Sequence, residues 1–312
     1  MKSRLDLKPW SAIIALLIVI PLMGQVVFKD GFEAIEVFKW QQLGADIDGE
    51  ANVDLSGSSV SLSADGSWVA IGAPGNDENG DSAGHVRVYQ WTDSVWQQVG
   101  TDIDGEAIHG GLGRRVSFSA DGSRVASGAA GYALIYQWTG SIWQQVGANI
   151  DGFGGGISLS ADGSRVVIGD EGHDGSGYDA GLVRVYQWTG SVWQQMGADI
   201  NGEAGGDNSG TSVSLSDDGS WVAIGARFND GNGDSAGHVR IYQWTGSDWQ
   251  QLGDDIDGEA GGDYLGSSVS LSADGSIVAI GTTYRERARI YQWTGSVLGG
   301  VGRGQLGGDW HR

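Results

Sequence analysis

The feature that most constrains how this chain folds is a repeated unit of about 56 residues. Its clearest pair is residues 59–92, SVSLSADGSWVAIGAPGNDENGDSAGHVRVYQWT, and residues 212–245, SVSLSDDGSWVAIGARFNDGNGDSAGHVRIYQWT. Weaker copies lie between and after them. An Asp-Gly turn marks each of five copies, at Asp65, Asp121, Asp162, Asp218 and Asp274. A period of this length is typical of propellers and solenoids, so we expect copies of one structural unit packed side by side.

Each copy has the pattern of four short strands. The SVSLS segment alternates apolar and polar residues, which is the period of a strand. The Asp-Gly pair after it suits a hairpin turn with positive φ. A second strand (WVAIGA), a third (HVRVYQW) and a fourth (WQQ) follow. Small residues alternate with bulky ones in the second strand, which favours a sheet covered on both faces by neighbouring sheets.

These units predict an all-β fold, a β-propeller of four-stranded antiparallel blades. Five Asp-Gly turns, five YQW strands and five WQQ strands give five blades over residues 37–298. The WQQ at Trp40 has no SVSLS segment before it, and the YQW that ends at Trp293 has no WQQ after it. We therefore predict that the N-terminal strand at Trp40 pairs with the strand ending at Trp293 and closes a five-bladed ring. A linear β-solenoid is the structural alternative.

The two ends of the chain differ from the repeats. Three basic residues precede an uncharged run centred on AIIALLIVI, so residues 1–24 are predicted to be a signal peptide or an uncleaved N-terminal anchor. Either interpretation predicts an exported protein, secreted or at the cell surface. Residues 25–36 are predicted to be a linker and residues 299–312 an irregular tail.

The composition limits the class of partner. The formal net charge is −21, with 18 Lys and Arg against 39 Asp and Glu. A nucleic-acid-binding face needs clustered Lys and Arg, so we expect no nucleic-acid partner. The absence of cysteine excludes disulfides and thiolate catalysis. Membrane contact is expected only through an uncleaved anchor, which leaves a protein or a glycan as the expected ligand.

The copies resemble the FG-GAP repeat, the blade unit of integrin α-subunit propellers and of many secreted bacterial proteins. The residues that carry the resemblance are Gly72-Ala73-Pro74 after WVAI, then Ala83-Gly84 and the strand HVRVYQW. The resemblance implies a propeller with a binding or adhesion role. This chain departs from the family pattern, because only the first copy has the full Gly-Ala-Pro, the aromatic-glycine signature is replaced by pairs such as Ser56-Gly57, and family propellers typically have seven blades. The family's calcium site, a D-x-D-x-D-G-x-x-D hairpin, is replaced by SADGS or SDDGS and is not expected.

Oxygen-bearing side chains nevertheless recur at alternate positions in the loop after the second strand. They are Asp77, Asn79 and Asp81 in the first copy and Asp230, Asn232 and Asp234 in the fourth. Alternate spacing lets such oxygens converge on one Ca²⁺ ion. The expected glycine and bidentate glutamate are missing, and these residue types also form ordinary turns. Calcium binding and a plain solvated loop are therefore both open, and no other cofactor is expected.

A second acidic set follows each WQQ strand and is predicted to be a solvated connection. Its members are Asp46, Asp48 and Glu50, then Asp102, Asp104 and Glu106, then Asp255, Asp257 and Glu259. The five histidines show no metal-binding spacing, although His85 and His238 occupy equivalent positions.

The leading functional interpretation is an exported binding or adhesion module that presents loops to a protein or glycan, without catalysis. The alternative is a secreted hydrolase or lyase that uses the propeller as a scaffold. Such an enzyme would need an unrepeated cluster of acids, His or Arg at one face of the ring. A degenerate structural repeat protein without a defined ligand is the third interpretation, since fold alone does not determine function.

Overall fold

The computed structural model describes residues 40–152, 154–283 and 287–295, with the backbone of the strands at 25–29, 33–37 and 310–311. The predicted signal or anchor at residues 1–24 lies outside the described residues. Contact clustering divides the chain into two compact units, Met1–Ala45 and Asp46–Arg312. In the first unit, Gln25–Lys29 (β1) and Glu33–Val37 (β2) form an antiparallel hairpin where the sequence predicted a linker. Valine, isoleucine and phenylalanine in these segments favour paired strands.

The second unit contains five antiparallel sheets, one for each copy of the repeat. Blade 1 comprises β3 (Ser59–Leu62), β4 (Trp68–Ala73), β5 (His85–Thr92), β6 (Val95–Gln98) and β7 (Ile103–Asp104). Blade 2 comprises β8 (Arg115–Phe118), β9 (Arg124–Ala129), β10 (Tyr132–Trp138), β11 (Trp143–Gln145) and β12 (Ile150–Asp151). Blade 3 comprises β13 (Ile157–Leu159), β14 (Arg165–Asp170), β15 (Leu182–Trp188), β16 (Trp193–Gln195) and β17 (Ile200–Asn201). Blade 4 comprises β18 (Ser212–Leu215), β19 (Trp221–Ala226), β20 (His238–Trp244), β21 (Trp249–Gln251) and β22 (Ile256–Asp257). Blade 5 comprises β23 (Ser268–Leu271), β24 (Ile277–Gly281), β25 (Ala288–Trp293) and β26 (Trp310–His311).

Four strands in chain order form the body of every blade, which confirms the prediction of four-stranded antiparallel blades. In blades 1 to 4 a further two-residue strand pairs with the start of the third strand. The third and fourth strands place two tryptophans opposite each other, as with Trp91 and Trp96 in blade 1. Their ring centroids are 5.3 Å apart, an aromatic cross-strand pair that fixes the register. Within the described part of the chain, there is no apolar helix of membrane-spanning length.

The predicted closure by the N-terminal strand is wrong in the described residues. The strand β25 pairs with β26, so that Trp293 faces Trp310 and Gln292 faces His311. Residues 40–44 form no strand. In backbone register Trp310 stands opposite Trp293, as Trp96 stands opposite Trp91 in blade 1. Part of the predicted irregular tail is therefore the outer strand of a blade.

The hydrophobic core lies between consecutive blades. The innermost strands β3, β8, β13, β18 and β23 pack side by side in chain order. Between blades 3 and 4, for example, Val183 and Val185 of β15 pack against Val213 and Leu215 of β18. Equivalent clusters join blades 1 and 2, 2 and 3, and 4 and 5. Each blade therefore depends on its neighbours to bury its apolar faces.

Hydrogen bonds repeat along the same row of blades. Each Asp-Gly turn donates a backbone N–H to a carbonyl of the next, from Ala64 to Ala120 at 2.8 Å through to Asp217 and Ala273 at 2.9 Å. In the innermost strands, a serine hydroxyl accepts an N–H from the next blade, as from Phe118 to Ser61 at 3.0 Å. These bonds satisfy backbone groups that the sheets leave unpaired, and they set one blade against the next in a fixed register.

The first and last blades each leave one face exposed. Val60 and Leu62 of blade 1 are 62% and 58% exposed, whereas Leu215 at the equivalent position of blade 4 is 7% exposed. In blade 5, Ile290 is 62% exposed, whereas the equivalent Ile241 is 1% exposed. Among the described residues, blades 1 and 5 therefore do not cover each other's apolar faces.

The Asp-Gly turns are braced by the side chain of their aspartate. Hydrogen bonds from the Ser63 hydroxyl, then from the Ser67 backbone N–H, lower the pKa of Asp65 to about 2. The same serines of its own turn lower the pKa of Asp274 to about 2. In the other three turns burial raises the pKa of the aspartate, but the serine hydrogen bonds lower it by more. The pKa therefore lies below its ordinary value in Asp121, Asp162 and Asp218.

We expect the protein to lose stability as the pH falls from about 4 to about 2, because a carboxylate whose pKa is lowered by folding stabilises the fold only while ionised. That contribution is complete above the unfolded value of 3.8 and disappears as the pH falls through the folded value of about 2. Replacing Asp65 and Asp274 by Asn should reduce the slope of melting temperature against pH in this window. Asp93→Asn, in an exposed turn without these serine hydrogen bonds, is the control. An unchanged slope in the double variant would contradict the assignment.

Candidate functional site

A polar pocket of about 350 Å³ opens where the innermost strands of blades 1 to 4 begin. We call it the axial pocket, and it is lined by Ser58, Pro74, Arg114, Arg115, Gly154, Gly155, Glu171, Thr211 and Arg227. Most of these residues come from two positions of the repeat, one just before the first strand and one just after the second. Because the innermost strands pack side by side, these two positions from successive copies face one opening.

Close backbone packing brings the two positions together. A β-carbon on Gly72, at the end of β4, would overlap the carbonyl of Gly113, just before β8. Only a hydrogen fits there, and φ of Gly113 is +94°, a value that favours glycine. This approach places Arg114 and Arg115 of blade 2 beside Pro74 of blade 1.

The acidic side of the pocket is Glu171. The Thr211 hydroxyl donates a hydrogen bond to Glu171 Oε2 at 2.9 Å, and Arg227 Nη2 lies 3.9 Å from the same oxygen. The Asn208 amide donates to the Glu171 backbone carbonyl at 2.8 Å. Arg227 also lies over the Phe228 ring, with its guanidinium carbon 4.7 Å from the ring centroid. Glu171 and Arg227 are thus held in place from two blades.

The basic side of the pocket is Arg114 and Arg115. Both side chains are exposed, and neither forms an ion pair with a carboxylate among the described residues. The Arg115 side chain donates a hydrogen bond from Nη1 to the Arg114 carbonyl, at 3.1 Å. A chain of net charge −21 thus places two arginines without carboxylate partners at one opening. Guanidinium groups in this state can bind an external carboxylate through paired N–H···O bonds.

The residues predicted as a possible calcium site are used for bracing their own loops. In the first copy, Asp77 accepts the Ser82 N–H at 2.6 Å, and the Asn79 amide donates to the Gly105 carbonyl at 2.7 Å. Asp81 lies 3.7 Å from His109 Nε2.

The fourth copy shows the same loop geometry. Asp230 accepts the Ser235 N–H at 2.7 Å, and the Asn232 amide donates to the Gly258 carbonyl at 2.6 Å. Asp234 Oδ1 accepts from the Ser235 hydroxyl at 3.3 Å. In both copies the aspartates and the asparagine serve separate hydrogen bonds, as in a turn. Calcium binding by these loops stays a prediction.

The acidic connections after the WQQ strands contact the interior more than the sequence predicted. Glu50 and Asp102 lie within 3.8 Å of the buried His85 ring, and Glu203 and Asp255 lie within 3.9 Å of the buried His238 ring. Burial, followed by the charge of Asp102, raises the pKa of Asp104. Part of this supposedly solvated set therefore borders buried cations and imidazoles.

The sequence contained one signal for the axial pocket. At the position two residues after the repeated glycine of the second strand, the copies read Pro74, Ala130, Glu171, Arg227 and Thr283. This position carries an acid in blade 3, a base in blade 4 and an uncharged residue in the other three copies. Such unrepeated polar residues at one repeat position are what a site shared by several blades requires.

Comparison with solved structures gives matches in fold. A candidate 6-phosphogluconolactonase from Bacteroides uniformis aligns with a TM-score of 0.54 and 13% identity, over 78% of this chain and 69% of that chain. Hydrazine synthase from Kuenenia stuttgartiensis aligns with a TM-score of 0.51 and 13% identity, over 75% of this chain and 70% of that chain. The Cps50 (Swd1) β-propeller domain of Myceliophteria thermophila aligns with a TM-score of 0.49 and 11% identity, over 75% of this chain and 68% of that chain. The chain folds as a β-propeller.

At these identities the similarity concerns the propeller fold alone. No family model and no curated protein matches the chain. Membership of the FG-GAP family therefore stays a prediction from the repeat residues, and so does the integrin-like adhesion role that it implies.

Proposed function

We propose that this protein is an exported binding module whose axial pocket holds a carboxylate-bearing sugar of an acidic glycan. The observation that carries the proposal is the pair Arg114 and Arg115, which lies at the pocket opening without carboxylate partners in the described structure. Export rests on the pattern of residues 1–24, and the absence of catalysis on the repeat architecture and its FG-GAP resemblance.

The chemistry of the pocket favours a sugar over an apolar ligand. Its lining is mainly glycine, serine, threonine and charged residues, with Pro74 as the apolar contact. A sugar hydroxyl can donate to Glu171 and accept from Arg227, while a uronate carboxylate pairs with Arg114 or Arg115. A volume of about 350 Å³ suits one or two sugar rings rather than a folded protein surface. An acidic side chain of a protein partner is the alternative occupant of the same arginines.

We expect Arg114→Ala combined with Arg115→Ala to weaken binding of an oligogalacturonate by at least about tenfold. A hydrogen bond to a charged group contributes about 1.5–3 kcal/mol, and 1.4 kcal/mol corresponds to tenfold in affinity. Calorimetric titration of the intact chain measures the change. Arg287→Ala is the control for the loss of an exposed positive charge outside the pocket, in blade 5, and it is compared with each of the single variants Arg114→Ala and Arg115→Ala.

Three results would argue against the proposal. They are equal affinities in the pocket variant and the control, equal affinity for a neutral oligogalactoside, and no binding of any acidic oligosaccharide on a glycan array. If the chain binds an acidic protein but not the oligogalacturonate, the same two arginines would instead bind a carboxylate of a protein partner.

A hydrolase or lyase acting on the same glycan is the second candidate, and one observation favours it. The unrepeated cluster of acid and arginines that such an enzyme needs at one face is present in the axial pocket, with Glu171 as the carboxylate among its lining residues. New reducing ends or unsaturated sugar ends during incubation with the oligogalacturonate, lost in Glu171→Gln, would establish this function in place of simple binding.

A further inference from the structure

We propose that Glu50, Glu78, His85 and Asp102, here called the His85 cluster, form a binding site for a divalent transition-metal ion of the zinc type. The cluster lies in blade 1, where the connection before the blade, the β4–β5 loop and the β6–β7 connection meet the start of β5. It shares no residue with the axial pocket, so it is independent of the function proposed above.

The first observation is the state of the His85 side chain. His85 is 1% exposed, and neither ring nitrogen has a hydrogen-bond partner among the described residues. A buried polar atom without a partner is costly and uncommon in folded proteins. The ring is nevertheless aimed at carboxylates, with Nδ1 3.4 Å from Asp102 Oδ2 and 3.8 Å from Glu50 Oε2. A metal ion held between these atoms would satisfy Nδ1 and both carboxylates at once.

The spacing of the candidate ligand atoms fits a small ion. One atom from each of the four residues lies within 4.8 Å of the others. With metal–ligand bonds of about 2.0–2.1 Å, the ligands of a tetrahedral site lie about 3.4 Å apart. The distance from His85 Nδ1 to Asp102 Oδ2 already has this value. Glu50 and Glu78 are exposed, so rotation of their side chains can bring their carboxylate oxygens to the same distance.

The charge of the cluster also fits a dication. Three carboxylates surround His85, and Arg87 supplies one positive charge, with Nη1 3.6 Å from Glu50 Oε1. The sum is −2 if the imidazole is neutral, which is the form that binds a metal. Arg87 is anchored by a hydrogen bond from Nη2 to the Asp48 carbonyl at 2.7 Å, so it orients Glu50 as an outer partner of the site.

The donor set indicates the class of ion. Calcium and magnesium prefer oxygen ligands alone, whereas an imidazole nitrogen among carboxylates favours zinc and its neighbours. The fourth candidate ligand is Glu78. The backbone N–H of Glu78 donates a hydrogen bond to Asn76 Oδ1 at 3.0 Å, which stabilises the loop that carries it.

Blade 4 contains a natural comparison. Glu203, His238 and Asp255 repeat the arrangement, with His238 Nδ1 3.5 Å from Asp255 Oδ2 and 3.9 Å from Glu203 Oε2. The residue equivalent to Glu78 is Gly231, so this second group lacks the fourth ligand and one negative charge. We therefore infer that blade 4 binds the same ion much more weakly than blade 1.

The test is titration of the intact, EDTA-treated and dialysed chain with Zn²⁺, followed by calorimetry. We expect one tight site, an affinity at least tenfold lower in Glu78→Gln, and loss of the tight site in His85→Gln. Gly231→Glu should raise the affinity of the second site at least tenfold, because Gly231 has no positive φ and a side chain there meets only the Asn229 amide. Glu78 is exposed, so its variant tests the site even if replacement of His85 disturbs folding.

A second readout is spectroscopic. Co²⁺ added to the same protein should give the intense visible bands of a tetrahedral nitrogen and oxygen site, and these bands should be weaker in Glu78→Gln. The proposal is overturned if Zn²⁺ does not bind, if Glu78→Gln binds as well as the natural chain, or if His85→Gln retains the tight site. In that case the His85 cluster is an ion-pair network of the fold.

Discussion

Gly169→Ala is expected to destabilise this protein by about 3 kcal/mol or more, whereas Gly281→Ala, at the same position of the repeat, is expected to lower the free energy of unfolding by less than about 1 kcal/mol. A β-carbon on Gly169 would overlap the carbonyl of Gly210 in the next blade. Backbone atoms cannot move aside there without separating blades 3 and 4. In blade 5 no such backbone neighbour lies within the described residues, and a β-carbon on Gly281 meets only the Ser268 hydroxyl, which can rotate away.

Urea denaturation followed by tryptophan fluorescence measures both variants, since the tryptophans lie in every blade. Neither glycine has a positive φ, so both substitutions are free of backbone strain and the pair isolates the contact between blades. Equal destabilisation by the two substitutions would show that another surface packs against blade 5 in solution, as in a closed ring.

The second large difference in stability is expected between two leucines of the innermost strands, one in blade 4 and one in blade 1. Leu215→Ala should lower the free energy of unfolding by about 2–4 kcal/mol, because truncating a buried leucine removes its contacts and leaves a cavity. Leu62→Ala should change it by less than about 1 kcal/mol. The two leucines occupy the same position of the repeat, yet Leu215 is 7% exposed in the cluster between blades 3 and 4, and Leu62 is 58% exposed.

The same denaturation experiment compares the two leucine variants. Because residue type, strand and register are identical, any difference reports the neighbouring blade alone. If Leu62→Ala lowers the free energy of unfolding by about 2 kcal/mol or more, another surface covers this face of blade 1 in solution.

The blades were predictable because the sequence repeats what each strand must bury. Alternation in SVSLS and the Asp-Gly turn determine a hairpin locally, and five copies of that signal determine the number of blades. Closure was not predictable in the same way. Trp293 was predicted to pair with the WQQ segment at Trp40, whereas it pairs with Trp310, in a tail that has no WQQ segment.

The two candidate sites were harder to predict for a different reason. Arg114, Glu171 and Arg227 belong to three blades, and only the side-by-side packing of the innermost strands brings them to one opening. The His85 cluster similarly joins Glu50, from the connection before blade 1, and Asp102, from the connection between β6 and β7. Spacing along the chain suggests neither group. For the axial pocket, the available signal was the change of charge between Glu171 and Arg227 at one repeat position.

Blades 1 and 5 differ in how well their exposed apolar faces are covered, and this difference determines which blade is expected to open first. Ile47, in the connection before blade 1, packs on the cluster formed by Val69, Ile71 and Tyr89, so the outer half of blade 1 is capped. No such cap covers Ile290 on blade 5 among the described residues. We therefore expect fraying of the propeller to start at blade 5, because an element with one packed neighbour has the lowest local stability. The axial pocket draws its walls from blades 1 to 4, so transient detachment of blade 5 would leave this pocket assembled.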